Sequence, residues 1–199
     1  MGEIDDKITE ALERARESRL NSVIAALVAA SATVMALNNV KDGNVVQAMQ
    51  QAQASSVDAW AYYQAKGTKQ NLAISAREQI ELMRDTTPDL TPESRAAMEK
   101  RIAEYAVQEK KYETEKEDIK RQAEGFQKQY DELNRHDDQF DMADALLSVA
   151  IALFGVTALT RKRWLLLFAL VFAVFGTMFG LAGFLGWNMH PDWLARVLS

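Results

Sequence analysis

The feature that most constrains this chain is an apolar run at residues 164–175, which reads Trp-Leu-Leu-Leu-Phe-Ala-Leu-Val-Phe-Ala-Val-Phe. A helix with this sequence is apolar on every face, so it has no surface suited to water. A bilayer core about 30 Å thick requires about 20 helical residues. The apolar stretch continues to Gly186 and therefore predicts a membrane-spanning helix over residues 164–186.

Two other segments, 20–38 and 142–159, are long enough and poor enough in charge to span a bilayer as well. Most charged residues lie in the N-terminal tail and in the middle of the chain, so the average composition conceals these segments. The sequence predicts an all-α membrane protein with three transmembrane helices and a long antiparallel helical hairpin, a coiled coil, between the first and the second.

The first segment has an alternative interpretation as the apolar part of a cleaved signal peptide, with Ala30-Ser31-Ala32 resembling a cleavage site. The residues before it hold more acids than bases, unlike the basic start of a signal peptide. We therefore expect residues 20–38 to be retained as an anchor.

Basic residues near the span ends predict the orientation, because they remain on the cytoplasmic side. Arg161, Lys162 and Arg163 lie in the short loop 160–163, which should be cytoplasmic. Residues 1–19, predicted as an amphipathic helix, should be cytoplasmic too. The hairpin 44–139 and an interfacial tail at 187–199 should then be periplasmic in a bacterial inner membrane.

The hairpin is predicted to turn near residues 85–92, where Pro88 and Pro92 interrupt the helical pattern and Thr91 is suited to cap the second arm. One position in seven is apolar along that arm, which is typical of a coiled-coil seam. Its residues are Met98, Tyr105, Tyr112, Ile119, Phe126, Leu133 and Phe140. Two helices alone bury little surface, so the seam is expected to pack against other copies of the chain as well.

The first arm contains a cluster of aromatic and basic residues: Trp60, Tyr62, Tyr63, Gln64, Lys66 and Lys69. The segment resembles the W-x-Y-Y-Q-A-K-x-x-K signature of bacterial membrane proteins that carry the domain of unknown function four-three-three-seven. The resemblance extends to the anchor, the charged hairpin and the C-terminal pair of hydrophobic segments, and it implies no established activity. The cluster is suited to an anionic headgroup or a partner, but aromatics at helical spacing more often pack inside a hairpin.

Three aspartates, Asp138, Asp141 and Asp144, are spaced to lie on one helix face near the start of the second span. With His136 and Asp137 close by, they are candidates for a cation site or for the mouth of a pore. Acids are also tolerated at a membrane boundary without any function. Small residues in the spans predict close helix packing, within a chain or between chains. They are Gly176, Gly180, Gly183 and Gly186 in the third span and Ala25, Ala29, Ala32 and Ala36 in the first.

The sequence contains no cysteine, and its two histidines, His136 and His190, are far apart. It has no nucleophile elbow, phosphate-binding glycine loop or zinc-ligand spacing. We expect no enzymatic activity, no cofactor and no nucleic-acid partner. The expected partners are membrane lipids, other copies of the chain and another envelope protein. A homo-oligomeric structural or interaction assembly is favoured over a channel or transporter subunit, and an enzyme ranks third.

Overall fold

The protein is described by a computed structural model, which covers the backbone of residues 2–187 and their side chains other than those of residues 2–9, 11 and 13. It contains three helices, α1 (Gly2–Thr86), α2 (Pro92–Thr160) and α3 (Arg163–Leu185), and no strand within residues 2–187. Each helix includes a stretch long and apolar enough to cross a membrane. Residues 188–199, with most of the predicted interfacial tail, lie outside the described residues.

The chain divides into two compact units. The first, the span unit, consists of residues 1–48 and 132–199, and the second, the arm unit, consists of residues 49–131. Neither α1 nor α2 is interrupted where the predicted spans end. A helix needs no break there, because its backbone hydrogen bonds are internal and form equally well in lipid and in water.

The core of the span unit draws on all three helices. Ile24 of α1, Ala150 and Phe154 of α2, and Ala169 of α3 are buried together. Partly buried apolar side chains surround them, including Leu20, Leu27, Leu153, Leu166 and Leu170. Large apolar side chains on the remaining faces are exposed, among them Val156, Leu159, Leu167, Val171 and Val174. This distribution is compatible with a bundle surrounded by lipid, since apolar groups facing lipid need no burial.

Three glycines of α3 allow the helices to approach closely. A Cβ atom added at Gly176 would lie 2.9 Å from Leu147 Cγ, and one at Gly183 would lie 2.8 Å from Phe140 Cζ. At Gly180 it would lie 2.6 Å from Asn38 Nδ2. These distances are shorter than van der Waals contact, so an added Cβ atom would displace a packed side chain at each position and would also press on the α2 backbone at Gly176.

Gly186 has another role, since it ends α3 in the left-handed conformation, with φ 68°. Its N–H donates to the Ala182 carbonyl oxygen, which also accepts a hydrogen bond from Trp187 N at 2.9 Å. Glycine adopts this conformation without the steric cost of a Cβ atom.

Two residues, Arg161 and Lys162, connect α2 to α3. Arg161 has a positive φ of 57°, which is uncommon for a residue with a side chain. Its guanidinium forms an ion pair with Glu17 of α1. This pair joins the connection to the start of the apolar stretch of α1.

In the arm unit, α1 and α2 are joined by residues 87–91. Ser94 N donates to Thr91 Oγ1 at 3.2 Å, which confirms the predicted N-cap of α2. Contacts between the helices run in opposite order along the chain, from Ser56 with Ala123, through Lys66 with Glu115, to Arg77 with Glu109. Lys116, adjacent to Glu115, contacts Gln70.

The predicted seam of α2 faces α1 of the same chain along the arm unit. Ile119 is buried, and four further members of the seam are half-buried: Met98, Tyr105, Tyr112 and Phe126. The last two members, Leu133 and Phe140, belong to the span unit, where Phe140 is fully buried. The seam is therefore covered in part without a second copy.

Candidate functional site

The span unit gathers carboxyl groups from two helices. Asp141 of α2 lies four residues after Asp137, three after Asp138 and three before Asp144, so all three flank it on one side of that helix. Asp42 of α1 is close enough to raise the energy of the ionised forms of Asp137 and Asp141. The sequence predicts Asp138, Asp141 and Asp144 as candidates, with Asp137 beside them, and the structure adds Asp42 to the same cluster.

Asp42 and Asp137 form the closest pair of the cluster. Burial, a hydrogen bond with the Asp42 carboxyl and the surrounding negative charges together raise the pKa of Asp137 to about 6. Two ionised carboxylates can only accept hydrogen bonds, so neither can donate to the other. Asp42 Oδ1 is then buried without a hydrogen-bond partner. A proton on Asp137 supplies the missing donor. Burial also raises the pKa of Asp141, and the charges of Asp42 and Asp138 add to the effect.

Two further buried polar groups lie in the span unit. Asn38, one helical turn before Asp42 on α1, is 1% exposed, and its Nδ2 has no hydrogen-bond partner. Asp144 Oδ1 is likewise buried without a partner. Buried polar atoms without a partner are rare and call for a proton, a water or an ion. The arrangement is therefore suited to binding protons or water.

The carboxyl cluster does not have the geometry of a metal site. Among the side chains that the structure describes, no group of three or more aspartate, glutamate, histidine or cysteine residues is placed to hold a metal ion. His136 instead lies beside Gln139, with Nδ1 and Oε1 3.4 Å apart. Gln139 Nε2 donates to the Trp187 carbonyl oxygen at 2.7 Å, so α2 holds the C-terminal end of α3.

The raised pKa of Asp137 predicts how stability depends on pH. Because the pKa of Asp137 is about 6 in the folded state and about 3.9 in an unfolded chain, the folded state binds more protons between these values. The Asp137 contribution to stability is thus fully present below pH about 4 and is lost as pH rises to about 6.

We expect Asp137→Asn to raise the midpoint of thermal unfolding by a few degrees at pH 7.5 and to flatten its fall between pH about 4 and about 6. Glu132→Gln, which neutralises a nearby exposed acid, is the matched control. An equal response of the two variants would contradict the assignment.

A second group of candidates, the aromatic and basic cluster of α1, lies in the arm unit. Tyr63 and Lys66 are half-buried, whereas the other four members are exposed, with Trp60 at 36% and Tyr62 at 53%. Trp60 and Tyr63 are in edge-to-face contact, with ring centroids 5.6 Å apart. Only part of the cluster is thus enclosed between the helices.

Lys66 is the centre of this cluster. Its Nζ lies 2.5 Å from Glu115 Oε2 and within 5.5 Å of the ring centroids of Tyr62 and Tyr112. The hydrogen bonds with Glu115 and Tyr62 raise the pKa of Lys66. Lys116 of α2 makes the reciprocal contact, donating to Gln70 Oε1 at 3.0 Å. Both lysines find their partners on the facing helix, so the cluster joins α1 to α2.

The sequence interpretation missed these α2 partners and the seam of α1. Met49, Ser56, Tyr63, Gln70 and Arg77 recur every seven residues on α1, and all are buried or half-buried. Because polar residues fill several of these positions, an apolar pattern does not reveal them. Asp42 was missed for a similar reason. Nothing in its sequence neighbourhood marks it as a site residue, because the carboxyl group that it faces belongs to α2.

The match to a family model covers residues 20–186 and is described as Domain of unknown function (DUF4337). The chain belongs to this family. The match includes every predicted span, the aromatic and basic cluster and the carboxyl cluster, so all the described candidate residues lie within the DUF4337 domain. No match was found among curated proteins or among solved structures.

Proposed function

We propose that this DUF4337 protein is a three-span membrane protein that forms a homo-oligomeric structural or interaction assembly. Its spans are residues 20–38, 142–159 and 164–186, and the arm unit is an antiparallel coiled-coil hairpin outside the membrane. The reversed order of the α1 and α2 contacts and the heptad spacing of both helices support the hairpin. The partners are lipids, other copies and an envelope protein, without nucleic acid and without catalysis.

The observation that carries the assembly is a stripe of alanines on the first span. Ala25, Ala29, Ala32 and Ala36 recur every three or four residues, so they lie on one face of α1. All four are exposed, unlike the α3 glycines, which pack within the chain. Helices associate in lipid where small residues allow their backbones to approach closely. This stripe is therefore available to a second copy.

The mass of the full-length protein in detergent tests this proposal. We expect the wild type to be a homo-oligomer by native mass spectrometry and Ala29→Leu/Ala32→Leu to shift it to smaller species, because leucine keeps the backbones apart. Ala26→Leu/Ala30→Leu is the control, since both alanines are exposed on another face of the same helix. A monomeric wild type, or equal losses in the two variants, would refute assembly through this face.

The proposed orientation places residues 1–19 and the loop 160–163 in the cytoplasm of a bacterial cell and the hairpin in the periplasm, because three basic residues lie in that loop. Since the chain has no cysteine, single cysteines report cleanly. With Ser94→Cys, an impermeant thiol reagent should label intact spheroplasts, and with Lys162→Cys it should label only after lysis. The reverse pattern would invert the topology.

A channel or transporter subunit is the second candidate, favoured by the buried polar groups of Asn38, Asp42 and Asp144. The span hydroxyls favour it less, because Thr33, Thr157 and Thr177 donate to carbonyl oxygens of their own helices. A hollow symmetry axis in images of the purified assembly, with ion flux in vesicles, would select this alternative.

A further inference from the structure

A group of five cations, here called the basic surface, lies at one end of the span unit: Arg16, Arg19, Arg161, Lys162 and Arg163. All five are exposed. The ion pair between Arg161 and Glu17 brings the α1 members beside the α2–α3 connection. Leu20, next to Arg19, packs against the same buried cluster as Ala158 and Leu166, which fixes the two segments at one level of the bundle.

The charge of this surface is largely uncompensated. Glu17 is the one acid within residues 14–20 and 158–166, and Arg161 pairs with it. The described side chains form no ion pair with Arg16, Arg19, Lys162 or Arg163, and Arg14 is paired with Glu10. Four neighbouring cations repel one another, so an external anion would stabilise them.

The position of the surface indicates the source of that anion. The five cations flank the ends of the apolar stretches, and Trp164, 63% exposed, follows them directly at the depth where interfacial tryptophans lie. The carboxyl cluster with Asp42 and Asp137 lies beyond the opposite ends of the apolar stretches of α1 and α2, where it would repel anions. Guanidinium groups bind phosphate oxygens in bidentate fashion, and lysine adds a point charge.

We propose that the basic surface binds the headgroup of an anionic phospholipid in the leaflet at that end of the spans. The inference rests on the three spans proposed above and is independent of the number of copies in the assembly. Arg16 and Arg19 from α1 and Lys162 and Arg163 from the connection surround the lipid phosphate, and Trp164 packs beside the upper part of its acyl chains.

Lipid retention by the full-length protein tests this binding. The detergent-solubilised protein is mixed with phosphatidylglycerol or phosphatidylcholine, and bound lipid is counted by native mass spectrometry. We expect the wild type to retain phosphatidylglycerol about tenfold better, since each cation near an anionic headgroup contributes to binding. Lys162→Gln/Arg163→Gln should reduce retention to the level of phosphatidylcholine. Soluble glycerol phosphate should displace none, because it lacks the acyl chains.

Two controls separate charge from folding. Lys100→Gln/Lys128→Gln removes two exposed charges from the arm unit and should leave retention unchanged. Lys162→Arg/Arg163→Lys keeps the charges and should keep retention, with thermal unfolding showing that each variant is folded. The proposal would be overturned if the wild type retained both lipids equally or if glycerol phosphate displaced the bound lipid. It would also be overturned by equal loss of retention in both charge-removal variants, or by loss in the charge-keeping variant. If the spans themselves were wrong, the protein would instead stay in the aqueous phase without detergent.

Discussion

Replacing Gly176 with alanine is expected to destabilise the protein by about 1–3 kcal/mol, the usual cost of forcing an extra carbon into a packed interior. The added Cβ would lie 2.9 Å from Leu147 Cγ and 3.1 Å from both the Ala143 carbonyl oxygen and Leu147 N. A side chain can rotate away, but the backbone of α2 cannot. The helices must therefore separate, and the packing of the buried cluster around Phe154 weakens with them.

Gly155 provides the matched control for this prediction, because it lies in the α2 span with nothing within 4 Å of an added Cβ. Gly155→Ala should be neutral or stabilising by about 0.5–1 kcal/mol, since alanine loses less backbone freedom than glycine in a helix. Thermal unfolding of both full-length variants in one detergent gives the comparison. If the two substitutions shifted the midpoint alike, α2 and α3 would not be in the contact described.

The helical class and the three apolar stretches long enough to cross a membrane were predictable from the sequence because they depend on local properties. An apolar run such as residues 164–175 predicts both a helix and an apolar environment for it. Pro88 and Pro92 predict the turn because proline has no backbone N–H to donate. The absence of any break between span and arm was not predictable, because Gly43 and its polar neighbours are compatible both with a loop and with a continuous helix.

The candidate site was only half predictable, because its energetics depend on pairs that are distant in the chain. The spacing of Asp138, Asp141 and Asp144 was visible in the sequence, whereas the approach of Asp42 to Asp137 requires α1 to pack on α2. The same holds for Lys66, whose partner Glu115 lies on the facing helix. The role of Lys66 as a cation between the helices follows from its ion pair with Glu115 and not from the aromatic residues around it.

Replacing Ile119 with aspartate is expected to cost about 3 kcal/mol, because burying an unpaired carboxylate adds to the loss of a buried apolar side chain. Ile119 is 7% exposed and lies one helical turn from Ala123, which is fully buried. The contacts from Lys66 to Tyr112 and from Ser56 to Ala123 place α1 of the same chain against this face. The substitution should therefore open the arm unit and make residues 49–131 sensitive to protease.

Gln122→Asp introduces the same carboxylate at an exposed position of α2 and should leave unfolding and protease resistance nearly unchanged.

Measuring the mass of the full-length variants shows whether the seam packs within one chain or between chains. Because the seam faces α1 within one chain, Ile119→Asp should destabilise the arm. It should leave the number of copies unaltered if the copies associate, as proposed, through the alanine stripe of the first span. Loss of copies with an intact, protease-resistant arm would instead place the seam between chains, as the heptad alone suggests. Equal protease sensitivity of the Ile119 and Gln122 variants would show that neither face is the seam.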